Sequence, residues 1–283
     1  MTWSRARRPG PTVRARVREH AVVPGGAPDG RAQREREDRL ATEEPLEVRL
    51  AWPGADARRV WVTMRTPGHD FELAAGWLVH EGLALPASVH GVAYCTDTAL
   101  APEEELNVVT VTLSGPPLRD PGHRHDGSGS SACGVCGKDS VSSCLDAPRG
   151  APWSGPLPSP EVVRSLPGAL RSGQVVFART GGVHAAGLAT ADGELLVVRE
   201  DVGRHNAVDK VTGARVLAGA SPAEACLVVS GRAGFELVQK AVAAGVGSLV
   251  AVGAPTSLSV RLAAEAGLAL YGFTAADRCV QYA

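Results

Sequence analysis

The hydrophobic pattern divides the chain into four stretches. From Leu40 to residue 113, short apolar–polar alternations dominate. Glu47-Val48-Arg49-Leu50 and Val60-Trp61-Val62-Thr63-Met64 read as two strands of one sheet, with Pro53-Gly54 as the turn between them. Thr66-Pro67-Gly68-His69-Asp70 then reads as a turn. Asp70 is expected to cap a helix from Phe71 to about His80, closed by Glu81-Gly82, with Leu73, Ala74, Trp77 and Leu78 on its apolar face. Residues 89–95 and 106–113 supply two more strands, so 40–113 is predicted to be a small α+β unit. From Glu161 to the C-terminus the pattern changes to apolar runs of strand length alternating with amphipathic helices. Helices are predicted at 161–171, 204–218, 234–244 and 257–266, and strands at 175–178, 195–198, 226–230, 248–252 and 268–273. This order indicates an α/β domain over 161–283, with a largely parallel sheet covered on both faces. Residues 114–160, rich in Pro, Gly, Ser and His, show no period and read as a long flexible loop. Residues 1–39 carry ten arginines against five acidic residues and read as a disordered basic tail.

Composition narrows the function classes. The 283 residues are 44% hydrophobic, enough for a substantial core, and 29 basic against 30 acidic residues leave no global charge to attract nucleic acid or a membrane surface. No apolar run is long enough to span a bilayer. Arg7-Arg8 is not followed by an apolar segment of the kind a signal peptide needs. Six cysteines (95, 133, 136, 144, 226 and 279) in a chain of this length do not form a disulfide scaffold, so a reducing, cytoplasmic location is expected. Only Lys138, Lys210 and Lys240 are lysines; the other basic residues are arginines. A lysine kept against that bias marks places where a compact ammonium serves and a guanidinium does not.

The densest chemistry is Cys133-Gly134-Val135-Cys136-Gly137-Lys138, inside the long loop. A glycine-flanked cysteine pair suits redox exchange, metal binding or sulfur carriage, and all three work through the thiolate. A structural zinc site would need Cys144 and His123 or His125 to complete four ligands, and no second Cys-x-x-Cys exists. A thioredoxin-like site would place the pair between a strand and a helix start, which the pattern does not. A sulfur carrier that collects sulfur at one protein and delivers it at another fits a mobile arm, with Lys138 favouring the thiolate.

Three further segments fall at predicted strand–helix junctions. Arg199-Glu200-Asp201-Val202-Gly203-Arg204-His205-Asn206-Ala207-Val208-Asp209-Lys210 concentrates both charge signs where open α/β sheets bind ligands, although a solvated helix start gives the same pattern. Ser230-Gly231-Arg232-Ala233-Gly234 and Ala254-Pro255-Thr256-Ser257 would let backbone N–H groups approach an anion, with Arg232 as a forked donor. Gly181-Gly182-Val183-His184-Ala185-Ala186 echoes the His-x-Glu of zinc nucleobase deaminases. Ala186 stands where the acid–base glutamate would be, so His184 is expected to line a site rather than bind zinc. No triphosphate-binding or dinucleotide-binding glycine motif is present.

Together these segments resemble the formate dehydrogenase accessory sulfurtransferases, the FdhD-type proteins. The resemblance runs from about Leu40 to the C-terminus. It rests on Glu43-Glu44-Pro45-Leu46, on Thr66 through Leu78, on Glu81-Gly82, on Cys133 through Gly137, on Thr180 through Ala186, on Arg199 through Lys210, and on Ala254-Pro255-Thr256-Ser257-Leu258. It implies a cytidine-deaminase-like three-layer α/β core with a smaller α+β domain, usually as a homodimer. It also implies an activity. A cysteine desulfurase would place sulfur on Cys133 as a persulfide, and Cys136 would assist transfer or resolve the persulfide. The acceptor would be the bis-molybdopterin guanine dinucleotide cofactor destined for formate dehydrogenase. By the same resemblance the cofactor-binding stretch is Phe273-Thr274-Ala275-Ala276-Asp277-Arg278, to which the residue-level reading adds Arg232, Ser230, Arg204 and His184. Asp277 departs from the small residue usual there, and Arg278 is its expected partner. Two other readings are a guanine-nucleotide or molybdenum-cofactor chaperone without sulfur transfer, and a zinc-binding deaminase-like enzyme.

Overall fold

The computed structural model describes residues 10–22, 31–96, 100, 105–121 and 148–283. The predicted loop's cysteine pair lies outside them. The described residues form a mixed α/β protein with three sheets and six α-helices.

The first α/β portion matches its pattern. Strands β3 (Glu44–Trp52), β4 (Ala55–Arg65), β5 (Val89–Tyr94) and β6 (Val108–Leu113) form a sheet in the order β4-β3-β6-β5. Period-2 burial puts Leu46, Val48, Leu50, Val109, Val111 and Leu113 on one face. Helix α1 (Asp70–His80) lies on that face through Leu73, Ala74, Trp77 and Leu78. Trp77 stacks on Trp61 with ring centroids 4.6 Å apart. Asp70 does not cap this helix but begins it. Its carboxylate is held instead by the buried Arg65 guanidinium (3.0 and 3.2 Å), the Gly68 N–H (3.1 Å) and the Tyr94 hydroxyl (2.8 Å).

The second sheet contains β7 (His184–Ala189), β8 (Leu195–Asp201), β9 (Cys226–Val229), β10 (Ser248–Ala251), β11 (Ala269–Ala275) and β12 (Arg278–Gln281), in the order β12-β11-β10-β9-β7-β8. Strands β9, β10 and β11 pair in parallel; β7 and β12 run against them, and β8, antiparallel to β7, runs in their direction, so the sheet is mixed rather than largely parallel. Alternate residues face opposite layers. Ala185, Cys226, Val228, Val250 and Tyr271 pack under α2 (Pro160–Ser172). Ala186, Leu188, Leu227, Val229, Leu249 and Leu270 pack under α4 (Arg204–Leu217), α5 (Phe235–Ala244) and α6 (Ser257–Ala266).

Three further differences separate the structure from the expected pattern. Residues 175–178 are not a strand but part of helix α3 (Val175–Thr180). The Val175-Val176-Phe177 run favours a strand locally, but the Glu200 carboxylate accepts hydrogen bonds from the N–H groups of Val176 (2.7 Å) and Phe177 (2.8 Å) and fixes a helix start. Strand β7 was not foreseen, because alanine and glycine are weak strand formers. Their small size is what the position needs: a Cβ on Gly187 would stand 3.1 Å from Leu195 and 3.3 Å from Leu170. Within residues 1–39, β1 (Thr12–Val22) and β2 (Arg31–Ala41) pair as an antiparallel ribbon rather than a disordered tail. The register sets opposite charges across the ribbon, as in Arg14–Glu37 (3.2 Å), Arg18–Glu35 (3.1 Å) and Arg36–Glu19 (3.1 Å). The foot of β2 reaches α3.

The two larger sheets meet through α1 and α4. A Cβ added to Gly76 would stand 1.9 Å from the Asp209 carbonyl oxygen, and one added to Gly213 only 1.8 Å from that of Glu72. Glycine on both helices lets the backbones touch.

Candidate functional site

Most of the charged Arg199–Lys210 segment is spent on holding the protein together. Arg199 forks onto the Glu72 carboxylate at 2.5 and 2.7 Å. Asp201, fully buried, accepts from the N–H groups of Gly203 (2.8 Å) and Thr66 (3.2 Å) and from the Asn206 amide (3.1 Å), and pairs with Lys210 at 2.7 Å. The Lys210 ammonium also donates to the carbonyls of Thr66 (2.9 Å) and Glu200 (3.3 Å). Three acceptors around one ammonium explain why lysine stands here. Asp209 pairs with Lys240 at 2.7 Å and with His80 Nδ1 at 2.5 Å, while His80 Nε2 lies 3.0 Å from Thr212 Oγ1. Burial pushes the His80 pKa down against the pull of Asp209. Burial alone would raise the Asp209 carboxyl, but Lys240 and His80 outweigh it and hold that pKa low. This buried seam between α1, α4 and α5 had no sequence signal beyond the retained lysines.

After these pairings, Arg204 and His205 are the members of the segment still facing the carboxyl ends of the strands. His205 Nε2 lies 2.7 Å from Glu236. Arg204 Nε is buried and has no hydrogen-bond partner. It lies beside His184 and Gly231: a Cβ on Gly231 would stand 3.6 Å from His184 Nδ1 and 3.9 Å from Arg204 Cδ. His184 is half-buried. Burial first, then the positive charge of Arg204, lowers its pKa, so the ring is neutral near pH 7.

The sheet end continues as a ledge. Ser230 closes it against β7 by donating its N–H to the Ala185 carbonyl (3.0 Å) and accepting the Ala185 N–H on Oγ (2.9 Å). The Gly253 N–H donates to the Gly231 carbonyl (2.9 Å), and the Phe273 N–H donates to the Gly253 carbonyl (3.1 Å). His184, Gly231, Gly253 and Phe273 thus form one row across adjacent strands. The exposed Arg232 lies over Gly253, where a Cβ would stand 2.9 Å from its side chain. At the far end Phe273 is exposed and held at φ 48°, in the left-handed region. The Arg278 guanidinium lies 5.4 Å from the Phe273 ring centroid, so its described contact is this ring rather than Asp277. Thr274 is buried with its hydroxyl unpartnered, while Ala275, Ala276 and Asp277 are exposed on the β11–β12 turn.

The structure therefore brings His184, Arg204, Ser230, Arg232, Phe273, Thr274 and Arg278 onto one edge. The phosphate-cradle reading of the 254–257 loop is weakened, because the first turn of α6 is already closed by a capping box between Thr256 and Ser259. Cys133 and Cys136 lie outside the described residues, as do Lys138, Cys144, His123 and His125. Among the described residues no group of three His, Cys, Asp or Glu side chains could hold a metal ion. Cys226 is sealed in the core, where burial pushes its thiol up to about 12, so it has no nucleophilic role.

An open cleft of about 570 Å³ adjoins the ledge. His184, Ser230, Val202 and Val252 line its sheet side; Pro167, Leu170, Arg171, Gln174 and Phe177 line its helical side. Of this helical side, α2 is expected from sequence, whereas α3 reads locally as a strand.

The sequence profile of the FdhD/NarQ family matches residues 41–283. The chain belongs to the FdhD/NarQ family. Relatives named sulfur carrier protein FdhD include one from Corynebacterium efficiens, 45% identical over 267 residues, covering 88% of this chain and 90% of the relative. Another, from Streptomyces avermitilis, is 49% identical over 247 residues, covering 84% of each. Among solved structures, that of a candidate formate dehydrogenase accessory protein from Desulfotalea psychrophila superposes with a TM-score of 0.71. It covers 95% of this chain and 96% of that one at 22% identity, a likeness of fold. No helix among the described residues is long and apolar enough to cross a membrane.

Proposed function

We infer that this FdhD/NarQ chain is a sulfur carrier protein serving formate dehydrogenase. The observation that carries the reading is the family match over residues 41–283, with relatives of that name at 45–49% identity. The chain retains the two loop cysteines such a role requires. The Cys133 thiolate attacks the outer sulfur of a persulfide on a cysteine desulfurase. That S–S bond breaks, the donor leaves as a thiolate, and Cys133 carries the outer sulfur as its own persulfide. Attack by the Cys136 thiolate on the Cys133 sulfur then releases hydrosulfide and leaves a Cys133–Cys136 disulfide, which a dithiol reductant reopens.

The cargo in this reading is bis-molybdopterin guanine dinucleotide, a polyanion. The ledge suits it: Arg204, Arg232 and Arg278 are placed along one sheet edge, and Arg204 Nε and the Thr274 hydroxyl are buried without partners. The cytidine-deaminase-like layering, a homodimer and a cytoplasmic site of action belong to the same reading.

The test is sulfur labelling. The purified protein is incubated with a cysteine desulfurase and isotopically labelled cysteine, and the label is mapped by mass spectrometry under non-reducing conditions. Reductant-labile label on Cys133, absent from Cys133→Ala, supports the carrier. No label on either loop cysteine with an active desulfurase overturns it and leaves a cofactor chaperone without sulfur transfer.

A further inference from the structure

Residues 12–40 of the β1–β2 ribbon precede the stretch matched by the family profile, and the sheet-end site does not use them. The two 11-residue strands pair throughout with no register shift, an unbroken ladder about 35 Å long. Its main contact with the rest of the protein is at the foot, where β2 reaches α3 and Ala41 lies beside Gly182. The ribbon is a sheet of two strands, and such a sheet, with both outer edges unpaired, is marginal on its own in water.

The register sorts its side chains into two unlike faces. Directly opposed residues share a face, so Arg14, Arg16, Arg18 and Arg39 lie together with Glu35 and Glu37. Arg14 pairs with Glu37 and Arg18 with Glu35. Arg16 and Arg39 have no ion pair among the described residues, and Arg39 stands directly opposite Arg14, a placement that repels. On the other face Arg36 is matched by Glu19 and Asp38. Val13 and Leu40, opposed in register on that face, are 51% and 46% exposed. One face thus carries surplus positive charge and the other an exposed apolar pair.

The charge of the chain says what covers them. Residues 1–39 carry ten arginines against five acidic residues, out of 29 basic and 30 acidic in the whole chain, so residues 40–283 are left with a net negative charge. A nucleic acid or an anionic membrane that attracted the ribbon would be repelled by the body behind it. A second copy of this chain offers an acidic body to each ribbon, and two-fold symmetry satisfies both ribbons at once. Two 11-residue strands also match the scale of the about 20–30 residues that a stable interface takes from each partner.

We propose that the β1–β2 ribbon is a docking arm that holds a second copy of this chain, its arginine face on the acidic body of that copy. The proposal rests on the homodimer in the reading above and names the segment that makes it.

Sedimentation of the full-length protein and isotope-resolved cross-linking test this. The wild type should sediment as a dimer. Arg16→Glu combined with Arg39→Glu should raise the dimer dissociation constant at least about tenfold, and Arg16→Lys combined with Arg39→Lys should keep it within about twofold. Neither arginine has an ion pair within its own chain, so the reversal leaves the internal pairs of the ribbon in place. In the lysine variant, a carbodiimide applied to mixed light- and heavy-isotope chains should join position 16 of one chain to a carboxylate within 40–283 of the other. If every cross-link from position 16 stays within one isotope, or the charge-reversed protein dimerises as tightly as the wild type, the arm is overturned and the homodimer stands. A wild type that is monomeric at about 100 μM would remove the arm and the homodimer together, while sulfur labelling of Cys133 still reports the carrier role independently.

Discussion

The α1–α4 crossing gives a prediction whose sign is decisive. Replacing Gly76 by alanine puts a methyl group 1.9 Å from the Asp209 carbonyl oxygen, where ordinary contact is 3.4–4 Å. The helices must separate by about 1.5 Å, and the obstacle is backbone rather than a side chain that can rotate. Both helices are anchored on other layers, α1 on the four-stranded sheet and α4 on the six-stranded one, so the shift propagates into the His80–Asp209 and Arg199–Glu72 pairs. Overpacking of this kind costs about 3 kcal/mol, at the upper end of its range. Helix propensity opposes it, favouring alanine by about 1 kcal/mol. The net expectation is a loss of about 2 kcal/mol or more, seen as a fall in melting temperature of about 4–8 °C. Gly213→Ala should behave alike, and because one separation relieves both clashes, the double variant should cost less than the sum. Gly168, within α2, has nothing within 4 Å of its Cβ position, so Gly168→Ala should hold or raise stability. Urea unfolding of the four variants at one protein concentration is the assay. A Gly76→Ala protein as stable as the wild type would refute the close crossing.

Acidification from pH 7.5 to 5.5 should destabilise the protein. His80, His184 and His69 all have folded pKa values lowered from 6.5, chiefly by burial, so the unfolded chain binds more protons as pH falls through that value. Their stabilising contribution is full above about 6.5 and shrinks toward the lowered folded values. His80→Gln should flatten the dependence of the urea midpoint on pH, and an unchanged slope would remove His80 from the account. Lys210→Arg should cost about 1–3 kcal/mol, because the larger fork cannot sit among Asp201 and the Thr66 and Glu200 carbonyls without displacing them. Equal stability of the two proteins in urea would mean the retained lysine has no packing reason. Iodoacetamide at pH 8 should leave Cys226 unmodified in the folded protein and modify it after unfolding; rapid native-state labelling by mass spectrometry would contradict its burial.

What the sequence displayed were elements whose signals are local. Helix α6 was readable to its last residue because Thr256 caps it and Gly267, in the left-handed conformation, ends it. The strands at 44–65 were readable because one face alternates into a single core. The failures share a different cause. Helix α3 is fixed by the Glu200 carboxylate, 23 and 24 residues away, against a β-branched run that points the other way. Strand β7 carries small residues because helices press on both its faces, and neither helix is visible in its own six residues. In the ribbon, Val13, Ala15 and Val17 do alternate with Arg14, Arg16 and Arg18, but the apolar side is too slight to register until β2 supplies opposite charges in register.

The site shows the same division. A run dense in charge, Arg199 to Lys210, looks from sequence like a ligand site throughout. Its partners lie more than 120 residues earlier, at Met64, Thr66 and Glu72, and they claim Arg199, Asp201, Asn206 and Lys210 for the junction between the two sheets. Arg204, expected from sequence to bind the cofactor, is set apart from the rest of the run only once those pairings are known. Charge density marks where polar groups meet, whereas the candidate site at this sheet edge is marked by the few polar groups left over when the folded chain has satisfied the rest.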